Sequence, residues 1–277
     1  MAQSELGGTS RQSLSAARTA LDNSITGLST GDLAKFASEL FAVLSALDSS
    51  APLRRAMTDA SRSDSDKLAL VFDLFAKSVG KSVADLVASL THMKWSKPSD
   101  IANALEQLAI EAEATASNLA GELDRLEEEL FAFAKIVASD GELRESLSSN
   151  KYSSEGKRVL VAKLFGGKVA ASTNRMLGHL VSGLRGRNIE GAIAFYAKAT
   201  AARRNRLIAE VRSAVALSDK QREILTSALA AKIGQPVQVN IEVDPTVLGG
   251  LSIRFADELI DATIVSRLAE ASRALAG

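Results

Sequence analysis

The chain has 277 residues, of which 46% are apolar and 4% aromatic, with 33 basic and 33 acidic residues. This length allows one large domain or two to three small ones, and an apolar fraction rich in Ala, Leu and Val suits close-packed helices. Zero net charge argues against general binding of nucleic acid or an anionic bilayer, and the absence of cysteine excludes disulfides, thiol catalysis and thiolate metal sites.

Targeting and membrane signals are not predicted. Residues 1–9 lack the basic-then-apolar pattern of a signal peptide. No window approaches the roughly 18 consecutive apolar residues of a membrane-spanning helix. Any association with a membrane would therefore depend on partners.

The charge is unevenly distributed along the chain. Residues 100–145 hold twelve acidic and three basic residues, whereas residues 185–212 hold seven basic and two acidic ones. We expect these stretches to form oppositely charged solvated faces. The alternative is that the polarity is used for docking to a partner.

The first predicted helix covers residues 13–28. Its apolar residues fall at steps of three and four, which places them on one face. They are Leu14, Ala17, Leu21, Ile25 and Leu28. Such a stripe indicates a side that is covered by other parts of the molecule.

The helical part contains an internal repeat. Residues 33–79 match residues 123–169 at a constant offset of 90 without gaps, and both copies contain Glu-Leu-Phe-Ala, at 39–42 and 129–132. The register also pairs Lys67 with Lys157. A period this long predicts two copies of a small helical bundle rather than a solenoid of short units.

Helix boundaries in each copy follow from capping residues. Ser63, Asp64 or Ser65 can cap the helix that contains Val71, and Ser153 or Ser154 its equivalent in the second copy. The pair Gly166-Gly167 ends that second helix.

The longest uninterrupted helical pattern lies between the copies. Ser99 or Asp100 can cap it, and apolar residues continue at steps of three and four to Val137. We predict one helix of about 38 residues that both copies share, roughly 57 Å long. The alternative is two helices broken near Gly121.

The pattern changes after Leu207. Residues 208–215 alternate as an edge-like strand would, Ser218 and Gln221 form a capping box for a helix that ends at Gly234, and residues 237–243 form a period-two strand. Ile253 and Phe255 predict a hairpin with Leu259, and Thr263 can cap a final helix. The predicted fold is mainly α, a duplicated helical bundle (residues 1–118 and 119–206) followed by a small α+β domain (residues 207–277).

Residues that could support catalysis are few. The two histidines, His92 and His179, have no acidic partner at a helical spacing, and neither a metal site nor a phosphate loop is predicted. The run Glu127–Glu129 reads as a solvated helix face. Arg203, Arg204 and Arg206 lack the aromatic platform of a nucleic-acid site, and Trp95 reads as a packing residue.

A string of residues in the C-terminal part carries a family resemblance. The string consists of Ser213, Ala214, Asp244, Pro245, Gly249, Gly250, Arg254 and Asp261. It resembles the C-terminal signature of the delta subunit of F-type ATP synthase, the family of the oligomycin-sensitivity-conferring protein. The chain departs from that pattern at Ala256, where Gly is usual, and at Thr263, where Ser is usual. Its helical part resembles a longer bacterial variant with a duplicated bundle.

The resemblance implies a non-catalytic peripheral-stalk subunit without catalytic residues, metal or cofactor. Such a subunit lies on the cytoplasmic face of the cell membrane, joins N-terminal helices of the alpha subunits to the membrane-anchored b subunit, and resists rotor torque. It binds no nucleic acid and does not insert into the membrane. By this resemblance Leu14, Leu21, Ile25 and Leu28 would line a partner-binding groove, with a core role as the alternative. The competing hypothesis is a soluble helical ligand-binding protein or enzyme.

Overall fold

A computed structural model describes residues 6–206, 208–233, 237–244, 250–255 and 258–263. These residues form a mainly helical fold with a small sheet in the C-terminal part, which confirms the predicted fold class. The chain divides into two compact units, residues 1–200 and residues 201–277.

The helices of the described residues are, in chain order, α1 (Gly8–Ile25), α2 (Thr30–Ser49), α3 (Ala51–Thr58), α4 (Asp64–Phe75), α5 (Lys81–Thr91), α6 (Pro98–Leu119), α7 (Leu123–Ser139), α8 (Gly141–Ser148), α9 (Ser154–Phe165), α10 (Ala171–Ser182), α11 (Ile189–Arg206) and α12 (Asp219–Ile233). The strands are β1 (Ile208–Ser213), β2 (Gln238–Val243), β3 (Gly250–Phe255) and β4 (Glu258–Thr263).

The repeat is visible in the helix boundaries. The helices α3 and α8, and likewise α4 and α9, have bounds that differ by 90 residues at both ends. The helix α6 begins 90 residues after α1 begins, and α11 begins 91 residues after α6 begins. The helix α6 packs against α1, α2, α3 and α5 on one side and against α7 and α10 on the other. It is therefore the last helix of the first copy and the first helix of the second.

The predicted single helix over residues 100–137 is wrong, and the alternative break near Gly121 is what the structure has. The helix α6 ends in a Schellman motif, in which Glu122 N–H donates to Ser117 O at 2.8 Å and Gly121 N–H donates to Asn118 O at 3.0 Å. Gly121 adopts φ +72°, a left-handed conformation that favours glycine. Apolar residues continue at steps of three and four past the break because α7 also buries one of its faces.

Two of the predicted caps are confirmed and one is wrong. Ser63 and Ser153 accept hydrogen bonds from the backbone N–H three residues later, as N-caps do. Gly166 follows the last residue of α9, and Gly167 adopts φ +73°. Neither Ser99 nor Asp100 caps α6, because the helix already begins at Pro98, and the buried Asp100 carboxylate accepts the Ser10 hydroxyl at 2.8 Å.

In each copy, a glutamate at the same position of the repeat caps a helix whose own N-cap residue makes no side-chain hydrogen bond. Glu39 accepts Gly80 N–H at 2.7 Å, before α5. Glu129 accepts Ala170 N–H at 2.9 Å, before α10, and the Thr173 hydroxyl. Burial opposes ionisation of Glu129, but these hydrogen bonds outweigh it and lower its pKa. The predicted solvated face is therefore wrong for Glu129, which works as a capping carboxylate.

The helical unit has a continuous hydrophobic core. The buried residues that form it come from both copies, among them Leu40 in the first and Leu130 in the second, with Leu105 of α6 between them in sequence. The shared helix therefore joins the two copies through apolar packing.

The C-terminal unit contains a four-stranded sheet of order β2-β1-β3-β4. The strand β1 is parallel to β2 and antiparallel to β3, so the prediction of an edge strand at residues 208–215 is wrong. The capping box is confirmed, since Ser218 N–H donates to Gln221 Oε1 at 2.9 Å. The hairpin is also confirmed, but its predicted pairing is wrong, because Ile253 lies opposite Ile260 and Phe255 opposite Glu258, while Leu259 lies opposite Arg254. The predicted stop at Gly234 and the predicted last helix after Thr263 lie outside the described residues.

We expect Glu129→Gln to lower the free energy of unfolding by about 1–2 kcal/mol, because the amide cannot replace a charged acceptor of several hydrogen bonds. Urea unfolding followed by circular dichroism measures this change. The matched control is Glu128→Gln on the exposed side of the same helix, expected to change stability by less than about 0.5 kcal/mol. Equal effects of the two substitutions would contradict the capping role.

Candidate functional site

Three of the four residues predicted to line a partner groove lie on the covered side of α1, and Leu28 follows that helix, which spans residues 8–25 rather than the predicted 13–28. Leu14, Leu21 and Ile25 are buried, and Leu28 is partly buried and packs against the core. The helix α1 packs against α5 and α6. The structure thus brings the four residues together as part of the core, and of the four only Leu28 retains appreciable accessible surface.

The most unusual feature of the helical unit is a set of three buried carboxylates on α6. Between Asp100 and Ser117 this helix is buried on all sides apart from the part-buried Asn103 and Gln107. Its three glutamates are Glu106, Glu111 and Glu113, and their side chains expose 2% or less of their surface. An ionised carboxylate at such a position is costly unless a cation pairs with it.

Arginines from three different elements pair with these carboxylates. Arg18 of α1 donates to Glu111 Oε1 at 2.8 Å, and Arg175 of α10 donates to Glu113 Oε1, with Nε at 3.1 Å. Arg187 hydrogen-bonds Glu106, and Arg185 Nε lies 3.3 Å from the second oxygen of Glu106. The shared helix is therefore held by charge from both copies of the repeat.

A tight loop between α10 and α11 positions the two arginines that reach Glu106. Arg185 and Gly186 adopt φ of +54° and +76° in succession, which reverses the chain within a few residues. Arg185 also pairs with Asp48 of α2 and donates to Asn103 at 2.9 Å. Burial raises the pKa of Glu106, although the charges of Arg185 and Arg187 oppose that rise.

Aromatic stacking joins the two copies at a second point. The ring of Phe41 on α2 lies parallel to the imidazole of His179 on α10, with centroids 3.9 Å apart. The centroid of the Phe41 ring also lies 6.5 Å from that of Tyr196. Burial, together with the positive charges of Arg158 and Arg175, lowers the pKa of His179 to about 4. This histidine is therefore neutral at pH 7 and acts as a packing residue.

A cleft of about 520 Å³ opens beside this stack. Its lining includes Ser38, Arg158, Arg175 and His179. Arg175 already pairs with Glu113, and Arg158 lies 3.7 Å from Glu155. Glu155 also lines the cleft, whose walls come from α2 of the first copy and from α9 and α10 of the second.

Metal and nucleic-acid sites find no support in the part of the chain that the structure describes. No group of three or more His, Asp or Glu residues there could hold a metal ion. His92 is exposed, whereas Arg203 is buried and so cannot belong to a basic surface patch. The side chain of Arg206 lies outside the described residues. No described helix combines the length and the hydropathy needed to cross a membrane.

The signature residues of the C-terminal part gather mainly at one end of the sheet. Ser213 ends β1, is buried, and lies opposite Val243 and Leu251, and Asp244 N–H donates to its carbonyl at 2.9 Å. Ala214 follows it, and Gly250 opens β3. Arg254 lies farther along β3, opposite Leu259, and Asp261 lies opposite Ser252. Pro245 and Gly249 lie outside the described residues. Ser213, Asp244 and Gly250 thus lie at or beside strand ends, whereas Arg254 and Asp261 lie within paired strands.

The buried ion pairs were not predicted from the sequence. Glu106, Glu111 and Glu113 counted toward an acidic solvated face, and Arg185 and Arg187 toward a basic one. One signal was available, because these glutamates sit in a stretch rich in Ala, Leu and Ile on all sides of the helix. A helix that is apolar all round is buried, and a carboxylate on it needs a cation.

Comparisons with known proteins agree on one family. The family model described as ATP synthase delta (OSCP) subunit matches residues 102–275, which begins inside α6 and leaves out α1 to α5. A protein of Streptomyces griseus named ATP synthase subunit delta is 42% identical over 268 residues, 97% of this chain and 98% of the relative. The protein of the same name from Thermobifida fusca is 38% identical over 98% of this chain and 99% of its own. Both relatives therefore have a segment that aligns with α1 to α5.

A solved structure gives a much weaker likeness. A chain of the mitochondrial ATP synthase hexamer of Toxoplasma gondii aligns with 61% of this chain and 97% of its own, with a TM-score of 0.31 and 15% identity. This likeness is too slight to support an argument about the fold.

We expect Arg175→Met to lower the free energy of unfolding by about 3–5 kcal/mol, because it leaves the Glu113 carboxylate buried without its cation. The control is Arg158→Met, since Arg158 is 52% exposed and its contact with Glu155 is long. The double variant Arg175→Met with Glu113→Gln should recover most of the loss in urea unfolding. Failure to recover would mean that Arg175 acts through packing rather than charge.

We also expect stability to fall as the pH drops from about 6.5 to about 4. In this window the unfolded chain protonates His179, which has an ordinary pKa near 6.5, while the folded chain does not. The contribution is fully present above pH 6.5 and amounts to about 3 kcal/mol at most. It is measured as the difference between unfolding curves of the wild type and His179→Gln across this range. The free energy of unfolding of the exposed-site variant His92→Gln should change with pH as that of the wild type does. The same pH dependence in His179→Gln would contradict the assignment.

Proposed function

Because the chain belongs to the ATP synthase delta (OSCP) subunit family, whose members are structural and not catalytic, we propose that it is a peripheral-stalk subunit of the proton-translocating F-type ATP synthase. In this role it links the catalytic head, through the N-terminal helices of the alpha subunits, to the membrane-anchored b subunit. It works at the cytoplasmic face of the cell membrane and resists the torque of the rotor.

The observation that carries this proposal is the alignment with proteins named ATP synthase subunit delta over almost the whole chain. A stalk subunit must transmit force without yielding, and the helical unit has features that suit this task. Its central helix is buried and tied by ion pairs to α1, α10 and the loop before α11. Such a unit resists bending because any displacement of α6 would separate buried charges.

Within the proposal, the helical unit meets the alpha subunits and the C-terminal unit meets b. Leu14, Leu21 and Ile25 belong to the core of the bundle. The N-terminal helices of the alpha subunits would therefore contact the accessible surface beside them, where Leu28 is partly exposed. Binding of an amphipathic helix on a helical surface needs apolar anchors but no catalytic pocket. The additional copy, α1 to α5, either lengthens the stalk or adds a contact.

The test measures coupling in inverted membrane vesicles from cells that lack the chain. We expect ATP-driven proton pumping to fall to the background seen with an uncoupler, because the head can then rotate with the rotor. Re-expression of a tagged chain should restore pumping and co-purify alpha, beta, gamma and b subunits. The variant Tyr152→Ala, at an exposed position, serves as a neutral replacement.

Undiminished pumping without the chain would contradict the proposal. So would recovery of the tagged chain alone, or with unrelated soluble proteins, after gentle solubilisation. In either case the ligand-binding hypothesis would have to be reopened.

A further inference from the structure

The repeat places a lysine at the same position of each copy, on α4 and on α9. Lys67 and Lys157 expose only 7% and 8% of their surface. On α9 the lysine is one of two buried residues, the other being Val161. Lysine is rarely buried unless its amine has a partner, so the contacts of each amine decide its chemistry.

The amine of the first copy has both an acceptor and a counter-charge. Lys67 Nζ donates to the carbonyl oxygen of Thr91, the last residue of α5, at 3.4 Å, and it lies 3.7 Å from Asp64 Oδ1. Carbonyls at the C-terminal end of a helix carry partial negative charge, which favours a cation there. These two contacts occupy the amine of Lys67.

The second copy lacks the groups that hold Lys67. Ser154 stands where the first copy has Asp64, and its hydroxyl donates to Ser182 O at 2.6 Å. Within the part of the chain that the structure describes, Lys157 Nζ has neither a hydrogen bond nor an ion pair. An amine that is paired in the first copy is thus unpaired in the second.

The other ionisable groups on α9, and on α10 against which it packs, do not replace the missing counter-charge. The one carboxylate on these two helices is Glu155, which is exposed and lies 3.7 Å from Arg158. The remaining groups are the cations Arg158, Lys163 and Arg175 and the neutral His179. Burial lowers the pKa of Lys157, and no favourable contact opposes the shift.

The amine of Lys157 also keeps an opening to solvent. Among the described residues, polar atoms such as Ser172 Oγ and Asn174 Oδ1 are fully enclosed and lack a partner, but Lys157 Nζ is not enclosed in this way. Its neighbours along α9, Gly156 and Arg158, are exposed. A small molecule can therefore reach the nitrogen from outside.

A neutral amine is the nucleophilic form of lysine, and its share at a given pH rises as the pKa falls. We propose that Lys157 is a modification site, where a small activated acyl group is transferred to the amine from an acyl phosphate or an acyl thioester. The nitrogen attacks the carbonyl carbon and a C–N bond forms. The C–O bond of the phosphate or the C–S bond of the thioester breaks, the phosphate or thiolate leaves with the electron pair, and one amine proton passes to solvent.

The product removes a charge that the site does not balance. Acylation replaces an ammonium group that has no counter-charge with a neutral amide, which costs less to bury. A short acyl chain is required, because Lys157 exposes only 8% of its surface. The inference does not rest on the proposed function, because it concerns the chemistry of one amine in this chain.

The test compares the two lysines within one molecule. The purified full-length chain is incubated at neutral pH with acetyl phosphate or, in a separate arm, with acetyl coenzyme A, and mass spectrometry follows the acetylated fraction of each lysine over time. We expect Lys157 to react at least about threefold faster than Lys67 with one or both donors, because only the Lys67 amine is bonded. The arm in which Lys157 leads identifies the donor. Equal rates with both donors, or a faster Lys67, would overturn the inference.

Exchanging one acidic residue between the copies separates the effect of the counter-charge from that of access. We expect Ser154→Asp to bring the rate at Lys157 down to that of Lys67, and Asp64→Ser to raise the rate at Lys67. The exposed Lys163 should keep its rate in both variants. Circular dichroism and Tm check that the variants fold as the wild type does. An unchanged rate at Lys157 in folded Ser154→Asp would overturn the inference, and if that variant misfolds, an unchanged rate at Lys67 in Asp64→Ser would do so in its place.

Discussion

The helical unit is organised by the cost of burying three carboxylates on one helix. A lone carboxylate in a protein interior costs several kcal/mol, and α6 carries Glu106, Glu111 and Glu113 with almost no solvent contact. Arg18, Arg175 and the arginines of the loop before α11 offset that cost by pairing with the three carboxylates. They thereby tie α1, α10 and that loop to α6, which also packs against α1 and α10 within the apolar core.

Local features of this fold could be predicted from the sequence, because they depend on neighbours along the chain. The Ser63 and Ser153 caps, the Ser218–Gln221 box and the hairpin at Ile253 are of this kind. The errors arose where a distant partner decides the outcome. Asp100 bonds a hydroxyl 90 residues away, and Glu129 caps a helix that begins some 40 residues later. The strand β1 lies inside the sheet because β3 returns to pair with it.

The family could be read from the sequence, whereas the binding surfaces could not. The signature is a string of residues at fixed spacing along the chain, and most of its described members lie at strand ends or within paired strands, so it could be recognised without the packed structure. An apolar stripe such as Leu14, Leu21 and Ile25 is the same whether it faces a core or a partner, and only the packed structure distinguishes them. The converse holds for Phe131 of α7, which is 63% exposed although its equivalent in the first copy, Phe41, is buried.

Because α6 belongs to both copies, it also determines how a protein of this kind can lengthen. Each copy has five helices of its own and shares α6 with the other copy. A tandem gene duplication of this kind therefore adds five helices without adding a linker between two bundles. The boundary between copies is then the middle of a helix rather than a linker, and neither copy can swivel independently of the other. Elongation by this route leaves each copy joined to the next through a shared helix, whereas fusion of two complete bundles through a loop would leave a hinge between them.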